Sequence, residues 1–340
     1  MTTHDTQSPV IDTDNVTEWL RRRIPDLGDP VEFDLITGGR SNLTFLVRDR
    51  TARTWVLRRP PAGSLLPTAH NVVREAQILT HLQGSAVPVP AVIGSCTDPT
   101  VTGSDFYVME FIDGIVLDSA AAAAKLPASV RRAASSNIVD TLTRIHDIDC
   151  AAPGLDSFRR PGGYVERQLK RWTRQLAALP EQRAALITVR DLLEQHTPPE
   201  NQIGLVHGDF RPGNLILDTE GSVRAVLDWE LCTVGDVLAD LGWLVAMWSP
   251  GDLVGWAPDP AEGFATPDDI IEYYHARTGR DVSGIAFYQA FALWRMACIA
   301  EGVHARFRAQ AMGGQTIDLE RLDTAIADMA ERARLLLTHR

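Results

Sequence analysis

Cysteine is scarce in this chain of 340 residues. The four cysteines, Cys96, Cys150, Cys232 and Cys298, are widely spaced and form no Cys-x-x-Cys pair. Zinc ligation and a disulfide framework are therefore not expected. We expect the four side chains to be buried as small apolar residues in a reducing compartment.

Long apolar runs and an excess of basic residues are also lacking. No run approaches the roughly 20 residues of a membrane span, and residues 1–9 contain no apolar segment typical of a secretory signal. We therefore expect a cytoplasmic protein without a membrane partner. Basic residues number 33 and acidic residues 44, a net charge of −11. This charge argues against a nucleic-acid partner, but not against ATP, because a phosphate site needs only local positive charge.

The most informative stretch is residues 207–218, His-Gly-Asp-Phe-Arg-Pro-Gly-Asn-Leu-Ile-Leu-Asp. It predicts a polar turn followed by a strand at 215–217. A second strand is predicted at 223–227, directly before Asp228. Because a hairpin brings its two ends together, Asp209, Asn214 and Asp228 are expected to face one small volume. Two hard oxygen ligands and a nearby carboxylate suit Mg²⁺ held against phosphates, with a base for an attacking hydroxyl.

A lone Asp-x-x-x-x-Asn is more often an ordinary turn, so the wider pattern matters. The run His-x-Asp-x-Arg-Pro-x-Asn at 207–214 resembles the catalytic loop of the protein-kinase-like fold. With glycine at position 208, the run resembles the aminoglycoside phosphotransferase and choline kinase branch of that fold rather than the protein kinases. The Asp-Trp-Glu at 228–230 stands in the place of the kinase Asp-Phe-Gly.

This resemblance implies roles for four residues. Asp209 is implied to orient and deprotonate the acceptor hydroxyl. Asn214 and Asp228 are implied to be the Mg²⁺ ligands, and Arg211 to lie near the transferred phosphate.

The N-terminal part predicts a nucleotide-binding hairpin. Strands are expected at 33–36 and 43–48, around a polar turn with two glycines whose N–H groups can cradle a phosphate. In this position the turn resembles the nucleotide-binding loop of the family. The candidate residues are Gly38, Gly39, Ser41 and Asn42.

A third strand, 54–58, ends in Arg58, where kinases carry a lysine for the α- and β-phosphates. Arginine keeps the charge but is bulkier and forked, which leaves the phosphate geometry open and allows a pseudokinase as an alternative. A helix at 71–83 carries Glu75, which the resemblance pairs with Arg58. Strands follow at 91–96 and 106–111. Segment 109–114 resembles the adenine-binding hinge, with backbone groups of Glu110 and Ile112 as candidates.

The pattern turns helical after residue 117. His146 is predicted to be capped or exposed. Asp236 and Asp240 are interpreted as structural, either as anchors of the catalytic loop or as charges at a helix N-terminus. The predicted helices are 16–24, 129–148, 164–179, 181–196, a helix that starts at Thr266 and ends near Gly279, 285–306 and 319–337.

Together these features predict an α+β, two-lobed protein-kinase-like fold. A tail and short helix (1–30) precede a small, mainly-β N-lobe (31–113), and a larger, mainly-α C-lobe (114–340) follows. The implied function is transfer of the ATP γ-phosphoryl group to a small-molecule hydroxyl, with Mg²⁺. Residues 55–63, 65–70 and 106–111 look most like the phosphotransferase domain fused to certain acyl-CoA dehydrogenases. This resemblance implies a hydroxyacyl-CoA or a related small hydroxy compound as the acceptor. An aminoglycoside acceptor and a non-catalytic nucleotide-binding protein are the alternatives.

Overall fold

The computed structural model describes residues 11–36, 42–61, 71–152, 154–248, 257–309 and 317–338. They divide into two compact units. The first unit ends at Asp113 and also takes in Ala225–Glu230. The second unit consists of Gly114–Arg224 and the residues from Leu231 onward. Asp228 therefore belongs to the first unit, although Asp209 and Asn214 belong to the second.

An antiparallel sheet is the main feature of the described part of the first unit. Its strands are β1 (Val31–Ile36), β2 (Leu43–Asp49), β3 (Thr54–Arg59), β4 (Val92–Cys96) and β5 (Phe106–Glu110). They are ordered β1-β2-β3-β5-β4. The helices of this unit are α1 (Thr13–Arg21), α2 (Val72–Leu82) and the single turn α3 (Pro99–Thr102).

Helix α1 shares an apolar core with this sheet. The Trp19 ring meets Phe106 edge to face, with 4.9 Å between ring centroids. The helix begins three residues before the predicted start, because the carboxylate of Asp12 accepts the N–H of Asn15 at 3.0 Å and caps it there.

Helix α2 presents a buried face that carries a charge. Its N-cap is Asn71, whose side-chain oxygen accepts the N–H of Arg74 at 2.8 Å. Val72, Ala76 and Leu79 are buried and form its apolar face. Glu75 is buried on this helix as well. Because an unpaired buried carboxylate is strongly unfavourable, Glu75 needs a cationic partner.

The second unit is mainly helical, with two small sheets in its described part. Strands β7 (Ile203–Val206) and β10 (Thr233–Asp236) pair antiparallel. The other contains β6 (Ile115–Val116) and β8 (Leu215–Leu217), which pair antiparallel. Strand β9 (Val223–Val226) begins in this unit, and its last two residues belong to the first. The helices are α4 (Ala120–Ala123), α5 (Ala128–His146), α6 (Tyr164–Ala177), α7 (Ala184–His196), α8 (Leu238–Trp248), α9 (Pro267–Thr278), α10 (Ile285–Arg308) and α11 (Leu319–Thr338).

Helices α8 and α10 pack with their backbones close together. A Cβ atom on Gly242 of α8 would lie 2.6 Å from the carbonyl carbon of Tyr288 in α10. Only glycine permits this approach, although glycine costs about 1 kcal/mol in a helix interior. The close packing places the next residue of α8, Trp243, against α10.

The predicted fold class is confirmed. A small antiparallel β unit comes first, and a larger helical unit follows. None of the helices in the described ranges is long and apolar enough to cross a bilayer.

Candidate functional site

The loop that carries Asp209 connects β7 to β8. Gly208 has φ +88°, a conformation that favours glycine. A Cβ atom there would also lie 2.8 Å from the Cβ of Leu231 and 3.0 Å from its carbonyl oxygen. The loop can therefore take this path only with glycine at position 208.

A buried carboxylate fixes the start of this loop. Asp240, in the first turn of α8, accepts the backbone N–H of His207 at 2.6 Å and that of Gly208 at 2.8 Å. Burial raises the pKa of Asp240, but His146, His207 and the Gly208 N–H outweigh it, and the net shift is downward. Asp240 thus stays ionised, and its predicted anchoring role is confirmed.

Asp236 takes the other predicted role. Its carboxylate accepts the N–H of Leu238 at 3.0 Å and the hydroxyl of Tyr288 at 2.7 Å. It therefore lies at the start of α8 and joins that helix to α10.

The prediction that His146 is capped or exposed is wrong. His146 is 2% exposed; its Nδ1 lies 2.7 Å from the Tyr274 hydroxyl and its Nε2 lies 3.6 Å from Asp240. Strand β7 packs on the end of α5, since a Cβ atom on Gly204 would lie 3.0 Å from the His146 carbonyl oxygen. A position at a helix end does not reveal this cover.

Hydrogen bonds orient both carboxylate oxygens of Asp209. Oδ1 accepts the indole N–H of Trp243 at 2.8 Å. Oδ2 accepts the Asn214 amide at 2.9 Å and the Arg211 Nε at 3.3 Å. The Asp209 side chain keeps 20% of its surface exposed. The structure therefore brings two predicted residues, Asn214 and Arg211, to the carboxylate of the third, Asp209, which solvent and small molecules can reach.

Trp243 is in turn held by a buried arginine. The guanidinium carbon of Arg295, in α10, lies 3.7 Å from the Trp243 ring centroid, a cation–π stack. Arg295 also donates to the Gly208 carbonyl at 2.6 Å and to the Tyr164 hydroxyl at 3.4 Å. Sequence reasoning assigned Trp243 and Arg295 no role. The available signal was a charged residue within the apolar run 290–300 of α10, where a charged side chain is rarely buried without a partner.

A second cluster lies in the first unit and contains Asp228. The Arg58 guanidinium forms an ion pair with Glu75 and donates to the Asp228 carboxylate at 3.2 Å. The implied Arg58–Glu75 pair is thus present. Burial lowers the pKa of Arg58, but the charges of Glu75, Tyr107 and Asp228 outweigh it, and the net shift is upward. Asp228 has φ +66°, a strained conformation that is frequent at functional sites.

Asn214, in the second unit, and Asp228, in the first, each keep a side-chain oxygen that accepts no hydrogen bond from the described residues. Both hydrogen bonds of the Asn214 side chain use its amide nitrogen, so its Oδ1 accepts none from the described residues. Asp228 uses one carboxylate oxygen for Arg58, and its other oxygen makes no hydrogen bond within the described chain. An amide oxygen and a carboxylate oxygen are typical Mg²⁺ ligands.

The other predicted nucleotide-binding residues have different outcomes. Gly38, Gly39 and Ser41 lie outside the described residues. Asn42 is buried, and its amide oxygen accepts no hydrogen bond from the described residues. The N–H of Glu110 already donates to the Ala91 carbonyl at 2.8 Å, so only its carbonyl could serve an adenine ring. Ile112 follows β5 and is half-buried.

Comparison with known proteins gives the family. Residues 32–274 match the model of the phosphotransferase enzyme family. The chain belongs to this family. It is 35% identical over 311 residues to acyl-CoA dehydrogenase family member 10 of Mus musculus, an alignment that covers 88% of this chain and 29% of that protein. The chain spans about a third of the length of the first curated relatives that it matches.

Solved structures agree with the fold. A protein of Ralstonia eutropha, provisionally named an aminoglycoside phosphotransferase, is 32% identical with a TM-score of 0.81; the match covers 97% of this chain and 99% of that one. Choline kinase of Cryptosporidium parvum has a TM-score of 0.63 at 13% identity, over 96% of this chain and 97% of that one. The predicted kinase-like fold is confirmed, and the protein is a member of a phosphotransferase family.

Stability should fall in mild acid because of His146. Burial is the largest influence on its pKa, and the net shift is downward. In the unfolded chain this histidine takes up a proton near pH 6.5, whereas in the folded protein it does so only at lower pH. The free energy of unfolding therefore keeps its full value above pH 6.5 and falls below it, by up to about 1.4 kcal/mol per pH unit. Urea unfolding from pH 7.5 to 5.5 should show this slope, reduced in His146→Gln. The exposed-site control His275→Gln should keep it. Equal slopes in all three proteins would contradict the assignment.

Removing one member of the buried ion pair should be costly. Arg58→Met leaves the carboxyl group of Glu75 buried without its cationic partner, and the free energy of unfolding should fall by about 3–5 kcal/mol. The double variant Arg58→Met/Glu75→Leu should recover most of this loss, because no charge is left uncompensated. Chemical denaturation measures both. A double variant no more stable than Arg58→Met would show that the two side chains do not depend on each other.

Proposed function

We propose that the protein transfers the γ-phosphoryl group of ATP to a hydroxyl group of a small molecule. The observation that carries this proposal is the setting of Asp209. Its carboxylate is partly exposed, and Trp243 and Asn214 hold its two oxygens in a fixed orientation. A carboxylate placed in this way can accept the proton of a hydroxyl group.

In the proposed reaction the acceptor oxygen forms a bond to the γ-phosphorus. The bond from that phosphorus to the bridging oxygen breaks, ADP leaves, and the hydroxyl proton goes to Asp209. Such transfers depend mostly on positioning and on neutralisation of charge. Arg211, which contacts Asp209, supplies a positive charge beside the transferred group.

The family resemblance assigns the remaining parts. Asn214 and Asp228 would hold Mg²⁺, which neutralises charge on the phosphates when it is bound. Arg58 replaces the usual lysine as the cation for the α- and β-phosphates. Its fixation by Glu75 and Asp228 supports this role, because a pre-positioned guanidinium can bind phosphate through two N–H groups.

The acceptor that we propose is a hydroxyacyl-CoA or a related hydroxy compound. The similarity to acyl-CoA dehydrogenase family member 10 supports this class. In such a protein, the region similar to this chain and the dehydrogenase would act on related thioesters. An aminoglycoside is the second candidate, favoured by the name of the Ralstonia eutropha structure. A non-catalytic nucleotide-binding protein is the third, and the ordered Asp209 site speaks against it.

Asp209→Asn should lower phosphoryl transfer by about a hundredfold to ten-thousandfold, because the amide cannot accept the proton. ATP binding, measured by calorimetry, should be retained. Transfer is read by mass as a gain of one phosphoryl group on a panel of hydroxyacyl-CoAs and aminoglycosides.

The control for this experiment is Asp218→Asn, which alters the next carboxylate along the chain, in the hairpin turn; it should leave transfer unchanged. If no compound of the panel gains a phosphoryl group while ATP binds, a non-catalytic protein is favoured. Equal activity of the wild type and Asp209→Asn would show that Asp209 is not the base.

Trp243→Phe should lower kcat by about tenfold or more and leave the KM for ATP nearly unchanged. Phenylalanine can still stack on Arg295 but cannot donate to Asp209, and a hydrogen bond to a charged group contributes about 1.5–3 kcal/mol.

Trp248→Phe is the matched control. It lies in the same helix and donates its indole N–H to the Ala265 carbonyl at 2.9 Å. It should reduce stability without a comparable loss of kcat. An equal loss of kcat in the two variants would mean that Trp243 acts only through folding.

A further inference from the structure

An apolar groove runs between α6 and α10. Its volume is about 510 Å³, within the range of small-molecule sites. None of the residues proposed for phosphoryl transfer lines it. Its apolar walls include Trp172 and Leu179 from α6 and the turn that follows, and Cys298, Ile299 and Gly302 from α10.

The groove begins one helical turn from the contacts that hold the catalytic loop. In α10, Cys298 and Ile299 follow Arg295 by three and four residues, and Gly302 follows it by seven, so all lie along one face of the helix. Arg295 bonds to the Gly208 carbonyl and to Tyr164, the first residue of α6. Along α10 the groove extends from Cys298 to Ala309, about 17 Å at 1.5 Å per residue.

Gly302 has no structural reason to be glycine. It lies inside α10, where glycine is unfavourable, and it does not adopt a positive φ. A Cβ atom at Gly302 would meet nothing closer than the Arg306 guanidinium at 3.8 Å. At Gly242, by contrast, the neighbouring helix forbids a side chain. Gly302 therefore keeps space open in the groove rather than permitting close packing.

The walls carry two further features that a ligand would use. Ile299 is 42% exposed, a large apolar side chain at the groove surface. The Trp172 indole N–H is buried and has no hydrogen-bond acceptor among the described residues. A buried donor without a partner is costly, and a carbonyl oxygen on a bound molecule could satisfy it.

We propose that this groove binds the alkyl chain of the acceptor whose hydroxyl group reaches Asp209. The inference deepens the proposed function and rests on it. An elongated apolar groove that starts one helical turn from Arg295, which holds the catalytic loop, fits a chain with a polar head at one end. A polycationic aminoglycoside has no apolar part to fill it.

The test uses the CoA thioesters of hexanoic, octanoic and decanoic acids, with and without a hydroxyl group. In the wild type, affinity for the plain thioesters, measured by calorimetry without nucleotide, should rise by about fourfold for each added methylene group. The kcat/KM of the hydroxylated series should rise in parallel. In Gly302→Leu, whose side chain fills the groove, both increments should vanish.

A stability measurement and one further variant keep the test independent of folding. Gly302→Leu should not lower the thermal unfolding midpoint, because leucine favours a helix more than glycine does. Gly284→Leu adds the same side chain at the start of α10, where a Cβ atom meets nothing within 4 Å. This control should keep the full chain-length dependence.

The outcomes separate the groove from the reaction. Chain-length-dependent binding that Gly302→Leu abolishes, without phosphoryl transfer to any thioester, would support an acyl-binding groove and refute a hydroxyacyl-CoA as the phosphoryl acceptor. Two results would contradict the proposed role of the groove. One is transfer that is equally efficient for every chain length, and the other is the same dependence on chain length in the wild type and in Gly302→Leu.

Discussion

The buried carboxylate of Asp240 is the constraint on which the candidate site depends. It accepts two successive backbone N–H groups, those of His207 and Gly208, and so fixes where the loop leaves β7. Gly208 then turns the chain in a conformation that other residues rarely adopt. Asp209 is the next residue, so its position follows from these backbone bonds before its own side chain makes any contact.

A second layer of contacts aims the Asp209 side chain. Trp243 lies three residues after Asp240 in α8, and on a helix such residues share a face. The same face therefore supplies the carboxylate that anchors the loop and the indole that orients Asp209. Arg295 closes the arrangement from α10, because it stacks on Trp243 and binds the Gly208 carbonyl. The close approach of α8 and α10 at Gly242 makes this contact possible.

Arg58 shows how the first unit accommodates a residue that departs from the kinase pattern. The chain contains two lysines, Lys125 and Lys170, among its 33 basic residues, so arginine serves in most cationic positions. The fork of Arg58 reaches Glu75 and Asp228 at once. A lysine, with a compact charge at its tip, would form one such contact more readily than two. The substitution therefore ties the strand-end cation to Asp228 as well as to the helix glutamate.

The sequence by itself determined the order of the elements, the α+β class and the residues around Asp209. Those features are local: the strand lengths, the turn at Gly208, the polar spacing of 207–214 and the charge in α2 are set by neighbours along the chain. Only the tertiary structure decided the roles of Trp243, Arg295 and His146, and the open space at Gly302. Each depends on which helix packs against which, and the identity of a residue does not specify the partner that lies far along the chain. The sequence does not show whether a buried arginine or tryptophan fills a core or holds a catalytic loop. The packing that distinguishes these two roles involves residues far apart along the chain.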